Sequence, residues 1–553
     1  MHKITLLIIL LFSFSAKIAN SQNTQLYDER EKPKLVLQIV VSHFRYDYLT
    51  KFNKNASEFG IKRLLKNGTN FTNARYGFMF TQTSPCIATI ATGAQPSQHG
   101  IIGDSWVNFT TNENIDAILD LSVHGVGSNE DEGQYSPHNL VFSTLADELK
   151  RQNSKSKVVS IAMDARGAVI AGGYNPDGVY WFDQRYGNMS TSTYYKPILP
   201  YWVTKFNESD KKNQYASELW SLTNDYNTYT YQNATSVLVD ASKKLSFDFK
   251  LKQKNKDMNR LLETPFGNSF IKDFALEVIK NDSLGMDENP DLLIVNFGAT
   301  HKITEKYGVE STEIEDAFYK LDNDIAELID YLENTLGKEN VVIILTSNHG
   351  TSDNVSIDGV NAIQKEHSTK TFNAMQFEVL INGFLGAMLG ADQWVNAYKN
   401  RQIYLNRRLI YEKGLSLSDI QTQVATFALQ FGGVANAMTA TALQNNYYGK
   451  GMTHKIQNSF FPKYSGDVII NLLPGWIELE RENASWVISS SGSPYEYDTH
   501  VPLIWYGGSI TPNVVHRPVD IINVAPTLSE ILGISHPNAS EGEALSEIIT
   551  QLN

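Results

Sequence analysis

The sequence predicts an α/β fold, a three-layer sandwich with a mainly parallel central sheet and cap insertions. Three observations predict it. Four short apolar runs, at residues 34–41, 157–163, 291–297 and 341–346, have the unbroken hydrophobicity of strands buried on both faces. Helical patterns lie between them, as alternating strands and helices require. The 553 residues are 42% hydrophobic and 19% charged, enough for a large core and unlike a disordered chain.

The chain opens on MHKITLLIILLFSFSAKIANS. His2 and Lys3 form a weak basic start, an apolar stretch follows, and Ala19 and Ser21 are the small residues a signal peptidase reads. Residues 1–21 are therefore expected to be a cleaved signal peptide, which puts the mature protein in the periplasm or outside the cell. No cysteine stands at the cleavage point to carry a lipid, and no later segment has 18 unbroken apolar residues. Residues 22–553 are expected to form one domain.

The run at 34–41 (KLVLQIVV) is the first strand. A polar turn then leads into a compact helix at TQTSPCIATIATG, residues 81–93. Residues 142–151 read as a helix, 157–163 as a strand and 270–279 as a helix. The strand at 291–297 precedes the longest helix, 313–336, where Ile314, Phe318, Leu321, Ile325, Leu328 and Leu332 recur every three or four positions. The strand at 341–346 follows, and a strand and short helix close the chain at 515–532. Two stretches interrupt the pattern. Residues 180–256 are rich in Tyr, Asn, Ser and Thr, and residues 352–463 mix short strands with helices such as 417–429. Both read as insertions that cap or wall the sheet. In such sheets the ligand site lies beyond the carboxyl ends of the strands. Ser42, residues 297–300 and residues 347–349 follow three of those ends.

Lys plus Arg number 47 against 60 Asp plus Glu, a net charge of −13. This excludes a general attraction to nucleic acid or anionic lipid, so any phosphate must be met by a local cationic site. The single cysteine, Cys86, excludes an intrachain disulfide and a cysteine-based zinc cluster. The sequons at Asn55, Asn67, Asn70 and Asn108 reflect an Asn-rich composition.

Thr83 lies at or just before a helix start, where free N–H groups and the helix dipole favour an anion. A hydroxyl there suits either attack on a phosphoryl group or simple N-capping.

Nearly end to end, the chain resembles the alkaline phosphatase superfamily. The likeness is to the monomeric bacterial alkaline phosphatases related to nucleotide pyrophosphatase/phosphodiesterases. It is carried by KLVLQIVVSHFRYDYL, GFMFTQTSPCIATIATGAQPSQHGIIGDSW, ARGAVIAGGYNPDGVYWFD, DLLIVNFGATHKITEKYG, VVIILTSNHG, GSPYEYDTHVPLIWYGG and RPVDIINVAPTLSEILGI, among others. The resemblance implies a Thr nucleophile and two zinc ions in an in-line displacement through a phospho-enzyme. Thr83 keeps the nucleophile position. The family's Asp after the first strand is Ser42, its Asp and His after the strand at 291–297 are His301 and Glu305, and its TADHG is TSNHG, which leaves Asn348 and His349. The late His before Gly-Ser-Pro is Ser491. The Asn that holds a phosphate oxygen is Asp104. The Lys-x-Arg pair is Asp164-Ala165-Arg166, which keeps one cation and adds an anion, a change worth more than ~1 kcal/mol beside a phosphate.

Each zinc needs about three strong donors, and amide and hydroxyl oxygens bind zinc poorly. The two-zinc centre is thus expected to be lost. The remaining metal possibility is a single weak site of His301, Glu305 and His349. His43, if extended, faces away from Ser42. His99, His500 and Cys86 read as packed structural residues, and His367 and His454 fall in the second insertion. Two functions follow. The favoured one is a catalytically impaired or non-catalytic phosphatase homologue that binds a phosphate ester or other small ligand in the cleft, with any protein partner open. The alternative is an active, metal-dependent phosphoric ester hydrolase with Thr83 as nucleophile and Arg166 as phosphate clamp.

Overall fold

The computed structural model describes residues 32–129, 133–233, 237–239, 245–247, 258–354, 371–479 and 489–551. The expected signal peptide and His367 lie outside them.

The elements that position the site are, in chain order, β1 (Leu35–Val41), α1 (Thr83–Thr92), β2 (Val158–Ala162), α2 (Ala165–Gly172), β3 (Gly178–Phe182), α3 (Phe266–Asn281), β4 (Asp291–Phe297), α4 (Ala299–Tyr307), α5 (Thr312–Leu336), β5 (Val341–Ser347), α6 (Ala374–Leu389) and β6 (Leu503–Gly507). Ten strands form the main sheet. Its middle runs β5-β1-β4-β2-β3, all parallel, while β6 joins β5 and Met189–Ser192 joins β3 in the antiparallel sense.

The layering follows from the side-chain alternation of a strand. In β1, Leu35, Leu37, Ile39 and Val41 pack into a core with Phe270 and Phe274 of α3 and Leu321 and Leu328 of α5. Val36 and Val40 pack on the other face with Ile87 and Ile90 of α1 and Val169 of α2. A strand used on both faces has no polar side, hence its continuous apolar run.

Tyr180, Trp181 and Phe182 differ from their reading as the start of an insertion: they end β3 inside the main sheet, where all three are buried. A smaller unit has its own four-stranded sheet, ordered Val395–Lys399, Gln402–Leu405, Val468–Leu472 and Val434–Thr439. Phe377 and Ile381 of α6, Trp394, Val424 and Ile470 fill its core. It braces the approach to α1, because Met79 and Phe80 pack against Leu443, Ile456 and Phe460.

Candidate functional site

The ends of β1, β4 and β5 and the start of α1 meet at one cleft. Gln82, not Thr83, is the residue before the helix, and its side chain caps nothing within it. Thr83 is the first helical residue, so its hydroxyl is not consumed as an N-cap. Its Oγ1 lies 3.5 Å from Asn348 Nδ2, which also donates to Ser42 Oγ at 3.2 Å. Asn348 Oδ1 accepts from the His349 N–H at 2.8 Å. The three positions Thr83, Ser42 and Asn348 are thus joined by neutral hydrogen bonds.

His43 departs from expectation. Its backbone takes φ +56°, the left-handed region, which turns the ring into the cleft instead of away from it. The ring stacks on His301 with centroids 3.9 Å apart and planes 15° from parallel, and meets His349 edge-on at 4.9 Å. Thr304 Oγ1 has a backbone carbonyl at 2.9 Å to donate to, so the 2.7 Å contact with His43 assigns the proton to Nδ1. His43 Nε2 is then a buried atom with no hydrogen-bond partner. His349 donates Nδ1–H to the Gly350 carbonyl at 2.8 Å. Burial lowers both rings' affinity for a proton, His43 well below the ordinary range and His349 to about 3, with His301 adding to the effect in each. Both are neutral at physiological pH.

One turn apart on α4, His301 Nε2 and Glu305 Oε1 are 2.9 Å apart, and Lys302 reaches the other Glu305 oxygen at 2.8 Å. Burial disfavours the Glu305 anion, but His301 and Lys302 outweigh it and hold the carboxyl down to about 2. Ser491 lies in the segment that crosses the cleft rim: Ser489 Oγ donates to the Thr304 carbonyl at 3.1 Å, and Thr81 Oγ1 donates to the Ser493 carbonyl at 2.9 Å. Among the described residues, no group of three or more His, Cys, Asp or Glu converges in a geometry that could hold a metal ion.

The other wall of the cleft carries Arg166, and three carboxylates surround it. Asp116 Oδ2 lies 2.5 Å from Nη2, Asp164 Oδ2 3.6 Å from Nη1 and Asp104 Oδ1 4.0 Å from Nε. Asp164 also caps α2 through the Arg166 N–H at 2.9 Å. Asp104 Oδ1 accepts from the Ser84 N–H at 2.8 Å, the amide that follows Thr83 at the helix start. Gln82 Oε1 accepts from the Asp104 N–H at 2.9 Å and fixes the loop. The positive end of α1 and the guanidinium are therefore both engaged by the chain's own anions.

Asp116 was not singled out in the sequence. It reaches the cleft through a short hairpin in which Asp116 pairs with Ser105, next to Asp104. The remaining candidates are packed: His99 contacts Thr89 Oγ1 at 3.1 Å, Cys86 is a buried free thiol, His454 contacts the Tyr448 carbonyl at 2.7 Å and His500 the Thr72 carbonyl at 2.9 Å.

Comparison with known proteins agrees with this architecture. The model of the family "type I phosphodiesterase / nucleotide pyrophosphatase" matches residues 36–485. A Myroides odoratus protein described as a calcium-transporting ATPase is 32% identical over 95% of this chain and 96% of its own length. Alkaline phosphatase PhoV of Synechococcus elongatus is 30% identical over 99% of this chain and 100% of its own. The crystal structure of wild-type alkaline phosphatase PafA superposes with a TM-score of 0.85 at 28% identity, covering 94% of this chain and 99% of the other. An inactive murine ectonucleotide pyrophosphatase/phosphodiesterase 5 in complex with AMP shares the fold, with a TM-score of 0.51 at 12% identity over 92% and 96% of the two chains. With the sheet, the helix that opens on Thr83 and these matches agreeing over nearly the whole length, this chain belongs to the type I phosphodiesterase/nucleotide pyrophosphatase family of the alkaline phosphatase superfamily.

Proposed function

We propose that this chain is a phosphatase-fold binding protein that carries out no zinc-dependent phosphoryl transfer. It would be exported on its N-terminal signal and act in the periplasm or at the cell exterior. The observation that carries the reading is the capture of Arg166 and the start of α1 by Asp104, Asp116 and Asp164. A phosphate dianion entering there would meet three carboxylates against one guanidinium, without the neutral amide that the family resemblance implies at the Asp104 position.

The zinc side supports the same reading. Two zinc ions need about six strong donors from His and carboxylate. Ser42 and Asn348 offer a hydroxyl and an amide, already bonded to each other. His43 and His301 lie face to face, so their in-plane lone pairs do not meet on one ion without ring rotation. His301 is paired with Glu305, which leaves His43 Nε2 and His349 Nε2 as the strong donors not already paired, too few for two ions. The residues present do not fit a zinc pair. A nucleotide such as the AMP bound by the murine relative is the type of anion these carboxylates would turn away. A small ligand that is neutral or cationic where it meets Arg166 suits the cleft better.

The test is an assay of purified protein with added zinc against phosphate mono- and diesters, beside metal analysis of protein isolated without chelators. The expected result is no turnover above a protein-free control and less than one zinc per chain. Turnover abolished by Thr83→Ala, or two tightly held zinc ions, would overturn the proposal.

A further inference from the structure

In the smaller unit, Asn400 and Arg401 form the two-residue turn between the strands Val395–Lys399 and Gln402–Leu405, with Lys399 paired to Gln402. Both residues sit in the left-handed region, at φ +50° and +60°. A hairpin turn of this kind needs positive φ at both central positions, and Asn-Gly is the sequence that suits it. Asn fits the first position. Arg at the second is strained where glycine would not be. What Arg adds is a side chain that fixes the turn from below. Its guanidinium is 5% exposed, donates Nη1–H to the Gly492 carbonyl at 2.7 Å and lies 3.5 Å from Glu478 Oε2. Gly492 belongs to the segment that crosses the cleft rim, so Arg401 ties the turn to that rim.

Held there, Asn400 reaches the charged wall. Its Nδ2 donates to the Ser105 carbonyl at 2.6 Å, and its Oδ1 lies 3.5 Å from Gln82 Nε2. Ser105 follows Asp104 and pairs with Asp116. One carboxamide therefore grips the hairpin that carries two of the three carboxylates around Arg166. The approach is close: a Cβ added at Gly103 would lie 3.0 Å from Asn400 Nδ2 and 3.1 Å from Gln82 Oε1. Further along the same hairpin, the Phe109 ring lies 5.2 Å from the Tyr404 ring, and the Arg407 guanidinium lies 3.6 Å over Phe109. Arg166, by contrast, stands on α2, which packs on the main sheet through Val169. Asp104 and Asp116 thus rest on the smaller unit, while the cation they face rests on the larger one. Their registry is set where the two units touch, and Asn400 makes a direct hydrogen bond at that place.

We infer that Asn400 is a positioning residue for ligand selection: it holds Asp104 and Asp116 at Arg166, and so keeps phosphate dianions out of the cleft without touching the ligand. The inference rests on the proposed role of those carboxylates and adds the residue that sets them. Two variants of the full chain test it. Asn400→Gly keeps the turn, because glycine adopts positive φ freely, and removes the carboxamide. Asn400→Asp keeps the shape and the tolerance of the left-handed region but offers no N–H to Ser105. By hydrogen exchange, peptides covering residues 104–117 should exchange at least about tenfold faster in both variants, with β1 and α5 unchanged. Calorimetry with inorganic phosphate reads the consequence. Asn400→Gly should bind it about threefold more tightly than the wild type, and should add less than that to Asp104→Asn in the double variant, where one carboxylate is already gone. A merely structural turn would leave phosphate affinity alone or change it equally in both backgrounds. Unchanged exchange at 104–117, faster exchange throughout the chain, or an Asn400→Gly protein that binds phosphate like the wild type while Asp104→Asn gains would each overturn the inference. An Asp104→Asn protein that gains nothing counts against the proposed function instead, and the exchange result then confirms or refutes Asn400 as the group that holds the hairpin.

Discussion

The two walls of the cleft reach opposite electrostatic states from one scaffold. On the strand-end wall, Ser42, Asn348, His43 and His349 are uncharged, and burial keeps the two histidines so. On the facing wall, Arg166 is outnumbered by Asp104, Asp116 and Asp164. A carboxylate on the first wall would be a buried charge in need of a cation, whereas the residues found there are neutral and bonded to one another. The second wall is partly open to solvent and tolerates an excess of anions. The difference teaches that one scaffold can set a neutral pocket beside an ionic one in which the chain's own carboxylates face its own guanidinium, the pairing on which the proposed function rests.

Restoring charge to the neutral wall should have the largest effect. Asn348 is 1% exposed and bonded to neutral partners, so Asn348→Asp places an unpaired carboxylate in the interior. A loss of about 3 kcal/mol at pH 8 is expected by urea unfolding, shrinking towards pH 5 as the new carboxyl takes up a proton. Unchanged stability at pH 8 would show that this wall already holds a compensating cation, and the comparison would fail.

The next largest effect is the pH response of the same wall. His349 has a folded pKa of about 3 against an ordinary value near 6.5, so below about pH 6.5 the unfolded chain binds a proton that the folded chain refuses. The stability linked to it is complete above pH 6.5 and is lost as pH falls, by about 2 kcal/mol at pH 5. Asp498, whose backbone carbonyl accepts from the Gly350 N–H at 2.8 Å beside His349, works in the opposite sense. Burial raises it to about 7, so the folded chain binds the extra proton and stability declines as pH rises from the unfolded value towards 7. Urea midpoints should thus show His349→Gln gaining on the wild type between pH 8 and pH 5, and Asp498→Asn gaining in the reverse direction. Parallel pH profiles for all three proteins would mean that His349 is charged or accessible in the folded state.

Much of the scaffold was legible in the sequence, and less of the site. β4 and β5 were readable because strands buried on both faces leave unbroken apolar runs, and α5 because its buried residues recur at helical spacing. The start of the 180–256 insertion was misplaced because Tyr and Trp in β3 resemble an aromatic loop until their burial is known. Ser42, Asn348 and Thr83 were located by resemblance and do meet in the structure. His43 was missed because strand alternation puts it on the far face, and nothing in SHFRYD announces a left-handed residue that usage would assign to Gly or Asn. Asp116 was missed because a three-residue polar hairpin strand has no periodic signal, and its partner Arg166 is 50 residues away.

The smallest expected effect bears most directly on the charged wall. If Asp104 fills the anion position at the start of α1, Asp104→Asn removes one negative charge from beside Arg166 and leaves a carboxamide oxygen able to accept the Ser84 N–H. The guanidinium then faces an external anion with Asp116 and Asp164 alone opposed to it, beside a helix start capped by a neutral group. Relief of one like charge at this range is worth about 1.4 kcal/mol, a tenfold gain in affinity for inorganic phosphate, read by isothermal titration calorimetry. Adding Arg166→Ala to Asp104→Asn should abolish the gain, which separates binding at this wall from a general rise in net charge. If the wild type binds phosphate as well as Asp104→Asn does, Asp104 is not the group that occupies the anion position, and the two walls differ less than their side chains suggest.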